Sequence, residues 1–116
     1  THQGVFDISF LRAIPNMTLF APYNEASMKE AMIFAKEYDH PCAFRYPRGA
    51  FLAEDRNCEA FELGKSELLK EGDEILFIGY GNGVGRAEQT AVLLDQDIAI
   101  LDLRFVKPLD EEMLMT

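Results

Sequence analysis

Short apolar runs alternate with stretches of helical spacing along this chain. Met17-Thr18-Leu19-Phe20-Ala21 is an apolar run that Pro22 stops, and it predicts a buried parallel strand over about 17–21. Asn24 is placed to cap a helix over about 25–38. In it Met28, Ala31, Met32, Ala35 and Tyr38 share one face, and Lys29, Glu30, Lys36 and Glu37 lie away from it. The methionines on that face predict core packing. Asp39-His40-Pro41 ends the helix, because a residue before proline is driven out of the helical region, and His40 reads as an exposed turn residue. A second short strand, Cys42-Ala43-Phe44, follows over about 42–45.

Residues 50–72 change character. Glu54-Asp55-Arg56-Asn57-Cys58-Glu59 is polar and unpatterned, and Glu71-Gly72-Asp73 reads as a turn. Beyond it, Glu74–Gly79 carries a strand signal. A helix over about 84–94 places Ala87, Ala91 and Leu94 on one face, and Ile98–Leu103 is a second strand. Strand, helix and strand with short connections make a βαβ unit with a right-handed crossover. The expected class is therefore α/β, in two units joined by a linker at about 54–62. Each unit is expected to have its own sheet and its own apolar cluster.

The chain starts at Thr1, in what reads as the middle of a loop. Near its other end Pro108 and an acidic first turn suit a helix that has just begun. Both ends are those expected of an internal piece of a longer protein. The net charge of −9 argues against generic nucleic-acid binding, which needs a basic face. That charge is uneven: residues 1–60 carry 6 basic and 8 acidic side chains, residues 61–116 carry 5 and 12. The asymmetry fits two units with different surfaces. No apolar run approaches the roughly 18–20 residues that span a bilayer. Cys42 and Cys58 lack CxxC spacing and a nearby histidine pair, so reduced thiols are expected.

Candidate chemistry gathers in two places. Arg45-Tyr46-Pro47-Arg48-Gly49 closes the second strand with two guanidinium groups, a rigid proline and a glycine. Guanidinium forks grip phosphate or carboxylate bidentately, so this loop is a candidate anion site, although two solvated or ion-paired arginines would look the same. His2, followed by Gln3 and Gly4, could move a proton near neutrality or be a plain loop residue. The run Gly79-Tyr80-Gly81-Asn82-Gly83-Val84-Gly85 stands between a strand and a helix, as a dinucleotide-binding loop does. Its spacing fails: counted from Gly79 the third glycine position falls on Val84, and counted from Gly81 on Arg86. It reads as a tight turn that lets helix and strand pack closely. Asp102, about 20 residues on, carries little weight as a ribose ligand.

Three segments together resemble a known family. Thr1-His2-Gln3-Gly4-Val5-Phe6-Asp7-Ile8-Ser9-Phe10-Leu11-Arg12 with Ile14-Pro15-Asn16-Met17, then Ala43-Phe44-Arg45-Tyr46-Pro47-Arg48-Gly49, then Asp102-Leu103-Arg104-Phe105-Val106-Lys107-Pro108-Leu109-Asp110 occur in family order. They are similar to the 1-deoxy-D-xylulose-5-phosphate synthases, thiamine-diphosphate enzymes of the transketolase superfamily. The resemblance implies parts of two three-layer α/β domains. Residues 1–53 would be the C-terminal part of the pyrimidine-binding domain, 54–62 a linker, and 63–116 the N-terminal part of the transketolase C-terminal domain.

It also implies a reaction, in which pyruvate is decarboxylated and its two-carbon unit is passed to glyceraldehyde 3-phosphate. The product feeds isoprenoid, thiamine and pyridoxal synthesis. By family position His2 is an active-site histidine beside the cofactor, a proton donor or hydrogen-bond partner, and Arg48 holds the acceptor substrate. Thiamine diphosphate and Mg2+ would be bound by residues upstream of Thr1, so this stretch alone is expected to be inactive and to bind neither tightly. A cytoplasmic homodimer is implied as well. A transketolase, the β subunit of a 2-oxoacid dehydrogenase, or a non-catalytic α/β domain that binds an anionic partner remain alternatives.

Overall fold

The computed structural model describes residues 6–115. In chain order the elements are α1 (Asp7–Arg12), β1 (Thr18–Phe20), α2 (Glu25–Glu37), β2 (Cys42–Phe44), β3 (Glu67–Lys70), β4 (Ile75–Gly79), α3 (Asn82–Ala91), β5 (Ile98–Asp102), β6 (Phe105–Lys107) and α4 (Glu111–Leu114). They form two three-stranded sheets, ordered β2-β1-β6 and β3-β5-β4. β1 and β2 run parallel with Thr18 opposite Cys42 and Phe20 opposite Phe44. β4 and β5 run parallel from Ile75 opposite Ile98 to Gly79 opposite Asp102, with α3 between them in sequence, so the expected βαβ unit is present.

Asn24 starts α2 as its side chain predicts. Its carboxamide oxygen accepts from the Ser27 amide at 2.9 Å, and Ser27 Oγ accepts from the Asn24 amide at 3.0 Å. This reciprocal pair satisfies donors that a helix start otherwise leaves bare. The buried stripe of α2 is rotated from the expected one. Ser27 and Ala31 are its buried residues, Phe34 and Ala35 pack beside them, and Met32 is 54% exposed. Two small side chains four residues apart let the helix lie close to the sheet, and Phe34 reaches in from the flank. Similarly α3 ends at Ala91, with Val92 and Leu93 exposed and Leu94 partly so, earlier than the pattern suggested.

The larger departure is at the join. β6, from the second half, pairs antiparallel with β1. It carries Phe105 into the first core, where Phe20, Ala31, Phe61 and Phe105 are buried together and Phe34 and Phe44 pack against them. Phe20 sits 5.1 Å from Phe34, 5.3 Å from Phe44, 5.9 Å from Phe61 and 5.4 Å from Phe105, ring centre to ring centre. Each such pair adds about 0.5–1.5 kcal/mol beyond its area. The second cluster, Ala91, Ile98 and Ile100 with Leu69, Ile75, Phe77 and Ala87, lies wholly in the second half. Two apolar clusters exist, then, but the first is built from both halves and from the segment between them.

Asp102 and Arg104 make the transfer from one sheet to the other. Asp102 Oδ1 accepts from the Arg104 amide at 3.1 Å, and Arg104 takes a left-handed backbone (φ 61°) that turns the chain from β5 into β6. A non-glycine residue there costs about 1–2 kcal/mol, so the turn needs other support. The Arg104 guanidinium provides it. Buried, it donates to the carbonyls of Ala60 at 3.0 Å and Glu59 at 2.9 Å, pairs with the Glu67 carboxylate, and stands 4.3 Å over the Phe61 ring. The polar stretch 54–56 is also fastened: Asn24 Nδ2 donates to the carbonyls of Glu54 and Arg56, and Asp55 accepts from the Ala26 amide at 3.0 Å.

Candidate active-site cleft

The C-terminal ends of β1, β2 and β4 meet at one cleft of about 270 Å³. Ala21 and Pro22 follow β1, Arg45, Tyr46 and Pro47 follow β2, and Tyr80, Gly81, Asn82 and Gly83 lead from β4 into α3. Ligands of α/β folds commonly bind beyond the carboxyl ends of strands. Here both sheets contribute, and glycine makes the meeting possible. A Cβ on Gly79 would stand 2.7 Å from Val84 Cα, so helix and strand could not approach as they do. Gly81, the residue before α3, has φ 58°, a backbone that glycine adopts at no steric cost. The glycine run is thus the close-packing turn that its spacing indicated.

Beside the cleft, Arg45 Nε meets Asp7 Oδ2 at 3.0 Å, and the Arg45 amide donates to the Phe20 carbonyl at 3.2 Å. Asn82 Oδ1 accepts from the Leu52 amide at 3.0 Å, which draws the end of the arginine loop towards α3. Burial pushes the Tyr80 hydroxyl above its ordinary value, the Arg45 charge opposes this and the Asp7 charge adds to it, so the phenol stays protonated and available to donate. The cleft offers one guanidinium, two phenols and a carboxamide. Such a set suits a phosphate, a carboxylate or a polarised carbonyl.

A larger cavity of about 530 Å³ lies beside Arg104, lined among others by Lys65, Ser66 and Asp110. Its polar groups are engaged with each other. Asp110 Oδ2 accepts from the Ser66 amide and hydroxyl, both at 2.8 Å, and Asp110 Oδ1 from the Met113 amide at 3.2 Å. Burial opposes ionisation of Asp110, and these hydrogen bonds outweigh it, holding the carboxyl below its usual value. These contacts start α4 and tie it to Ser66, a structural task.

Of the residues singled out from sequence, His2 lies outside the described residues. Arg48 is exposed on the loop and is not part of the cleft lining, whereas Arg45, three residues earlier, is. His40 is exposed, its ring 5.4 Å from that of Tyr38. Asp7, Tyr80 and Asn82 went unnoticed because nothing local marks them; only the approach of three strand ends gives them a common place. Among the described residues no group of three or more His, Cys, Asp or Glu could hold a metal ion. Among the described residues the cleft lining holds no carboxylate, and the nearby Asp7 is paired with Arg45. The described residues therefore do not fit Mg2+ or a metal-bound diphosphate.

Two family models match the chain: the transketolase pyrimidine-binding domain over residues 1–52 and the transketolase C-terminal domain over residues 64–116. Parallel strands linked by helices and sheet-end loops that meet at a cleft agree with these matches, and the chain belongs to the transketolase family. Among solved structures it is similar to a protein titled "Split gene transketolase, inactive beta4 tetramer", with a TM-score of 0.88 and 27% identity over 98% of this chain and 39% of that one. In sequence it is similar to 1-deoxy-D-xylulose-5-phosphate synthases. Identity is 62% to that of Sulfurimonas denitrificans and 58% to that of a Nitratiruptor species, each over 98% of this chain. It is 54% to that of Helicobacter pylori strain J99, over 97% of this chain. The chain spans 19% of the length of each of these relatives.

Proposed function

We propose that this chain is the stretch of a 1-deoxy-D-xylulose-5-phosphate synthase that joins the C-terminal part of the pyrimidine-binding domain (1–53), through a connection at 54–62, to the first part of the C-terminal domain (63–116). The observation that carries this reading is identity of 54–62% to such synthases over nearly the whole chain, against 27% to the transketolase of known structure. The full-length enzyme converts pyruvate and glyceraldehyde 3-phosphate to 1-deoxy-D-xylulose 5-phosphate and carbon dioxide. It works as a cytoplasmic homodimer, at the entry to non-mevalonate isoprenoid synthesis and to thiamine and pyridoxal precursors.

Thiamine diphosphate with Mg2+ supplies the electron sink for decarboxylation, and it is held by parts of the enzyme outside this stretch. The task of this chain is to receive the acceptor. Arg48, exposed on its loop, takes the acceptor phosphate in a bidentate grip. That grip fixes the aldehyde for attack, an entropic and electrostatic contribution. His2 donates a hydrogen bond or a proton to the reacting oxygen. The isolated stretch is inactive in this reading, because the parts that hold thiamine diphosphate and Mg2+ lie elsewhere in the enzyme.

The test is product identity. Full-length enzyme carrying this stretch, given thiamine diphosphate, Mg2+, pyruvate and glyceraldehyde 3-phosphate, should release one carbon dioxide for each 1-deoxy-D-xylulose 5-phosphate formed. Transfer of a two-carbon ketol unit from xylulose 5-phosphate to ribose 5-phosphate instead would make it a transketolase.

A further inference from the structure

The ion pair at the cleft connects the two segments that the proposed function relies on. Asp7 opens α1 and stands five residues after His2; Arg45 stands three residues before Arg48 on the arginine loop. Arg45 Nε meets Asp7 Oδ2 at 3.0 Å, while Asp7 Oδ1 is buried and takes no hydrogen bond among the described residues. The carboxylate is therefore committed to Arg45 through one oxygen. Arg45 is in turn fixed to β1 by the hydrogen bond that its backbone N–H donates to the Phe20 carbonyl. The far end of α1 is fastened too, since Lys107 Nζ donates to the carbonyls of Arg12 at 2.8 Å and Ile14 at 2.7 Å. α1 is a two-turn helix held at both ends by cations from other elements, one from the arginine loop and one from β6.

We infer that Arg45 is a positioning residue: through Asp7 it sets how the loop that carries Arg48 sits against α1. This rests on the functional reading above. The pair is not a large source of stability, because the Arg45 and Asp7 side chains are 45% and 22% exposed and such pairs contribute little. Its effect is on alignment. Misplacing a reactant by about 1 Å can cost on the order of 10²-fold in rate. A phosphate gripped by Arg48 has its aldehyde carbon at a fixed reach, so a shift of that loop against α1 displaces the aldehyde from where it reacts. Pyruvate decarboxylation, which needs no phosphate grip, should be affected far less.

Full-length enzyme is compared as wild type, Asp7→Asn, Arg45→Gln, the double variant, and the charge swap Asp7→Arg with Arg45→Asp. Each single variant should lower kcat/KM for glyceraldehyde 3-phosphate by about tenfold or more, with the KM for pyruvate unchanged and melting temperatures near wild type. The double variant should be no worse than either single one, and the swap should recover part of the loss. Losses that add in the double variant, or that appear equally in pyruvate KM, would overturn the positioning role. So would single variants with wild-type acceptor kinetics. Failure of the wild-type enzyme to form the product would instead sink the functional reading, so the two failures are distinguishable.

Discussion

Replacing Arg104 by alanine should be among the most damaging single changes in this stretch. The guanidinium is buried, bonded to the Glu59 and Ala60 carbonyls, paired with Glu67 and laid over Phe61. Its removal leaves the largely buried Glu67 carboxylate without its cation and two carbonyls without donors. Breaking a buried pair from one side costs about 3–5 kcal/mol, which is a factor of about 10² to 10⁴ in the unfolding equilibrium. The backbone supplies an internal control. At φ 61° glycine is free of the strain that alanine bears, so Arg104→Gly should be less damaging than Arg104→Ala by about 1 kcal/mol. The reverse order is expected at an ordinary helix or strand position. Urea titrations of the full-length protein and its variants, followed by far-UV circular dichroism, measure both differences. A loss below about 1 kcal/mol in Arg104→Ala, or a glycine variant weaker than the alanine one, would refute the view that this side chain stabilises a strained crossing between two sheets.

Two further outcomes follow from the same join. Burial pushes the Asp102 carboxyl up to about 7, against the opposing charge and amide of Arg104, whose Nε is 3.8 Å from Asp102 Oδ2 and too far for a hydrogen bond. The folded state therefore holds a proton that the unfolded chain loses near pH 4. The resulting stability is present below that pH and falls as pH rises towards about 7, by at most about 4 kcal/mol. Asp102→Asn should flatten this slope in urea midpoints measured between pH 5 and pH 8; an unchanged slope would exclude Asp102 as its source. Phe105→Ala should cost about 3–5 kcal/mol and lower the unfolding free energy of both sheets together, read as lost protection from hydrogen exchange in β1 and β5; loss of protection in β1 alone would mean that the halves are independent.

Much of this fold was legible in the sequence where one short segment decides the outcome. The Asn24 cap, the Cys42–Phe44 strand and the β4–α3–β5 unit follow from local patterns. The misses share a cause. β3 and β6 are edge strands of four and three residues, too short for a period to declare itself. β6 also follows the Arg104 turn, whose left-handed backbone no glycine or asparagine announces. The stripe of α2 is legible at Ala31 and not at its edges: the small Ser27 is buried, while the apolar Met32 is exposed, because size rather than apolar character decides which side chain approaches the sheet. As to the site, the arginine loop was legible from its chemistry. The roles of its two arginines were not distinguishable, since only the fold brings Asp7 to Arg45 and leaves Arg48 exposed.

The most direct measurement of the central claim, that this stretch delivers a phosphorylated acceptor, is the kinetics of Arg48→Lys in the full-length enzyme with two acceptors, glyceraldehyde 3-phosphate and unphosphorylated glyceraldehyde. Lysine keeps the charge and loses the bidentate fork. The preference for the phosphorylated acceptor, as a ratio of kcat/KM values, should fall by about tenfold or more, while pyruvate decarboxylation without acceptor stays near wild type. An unchanged preference, or equal losses with both acceptors and in pyruvate decarboxylation, would contradict it.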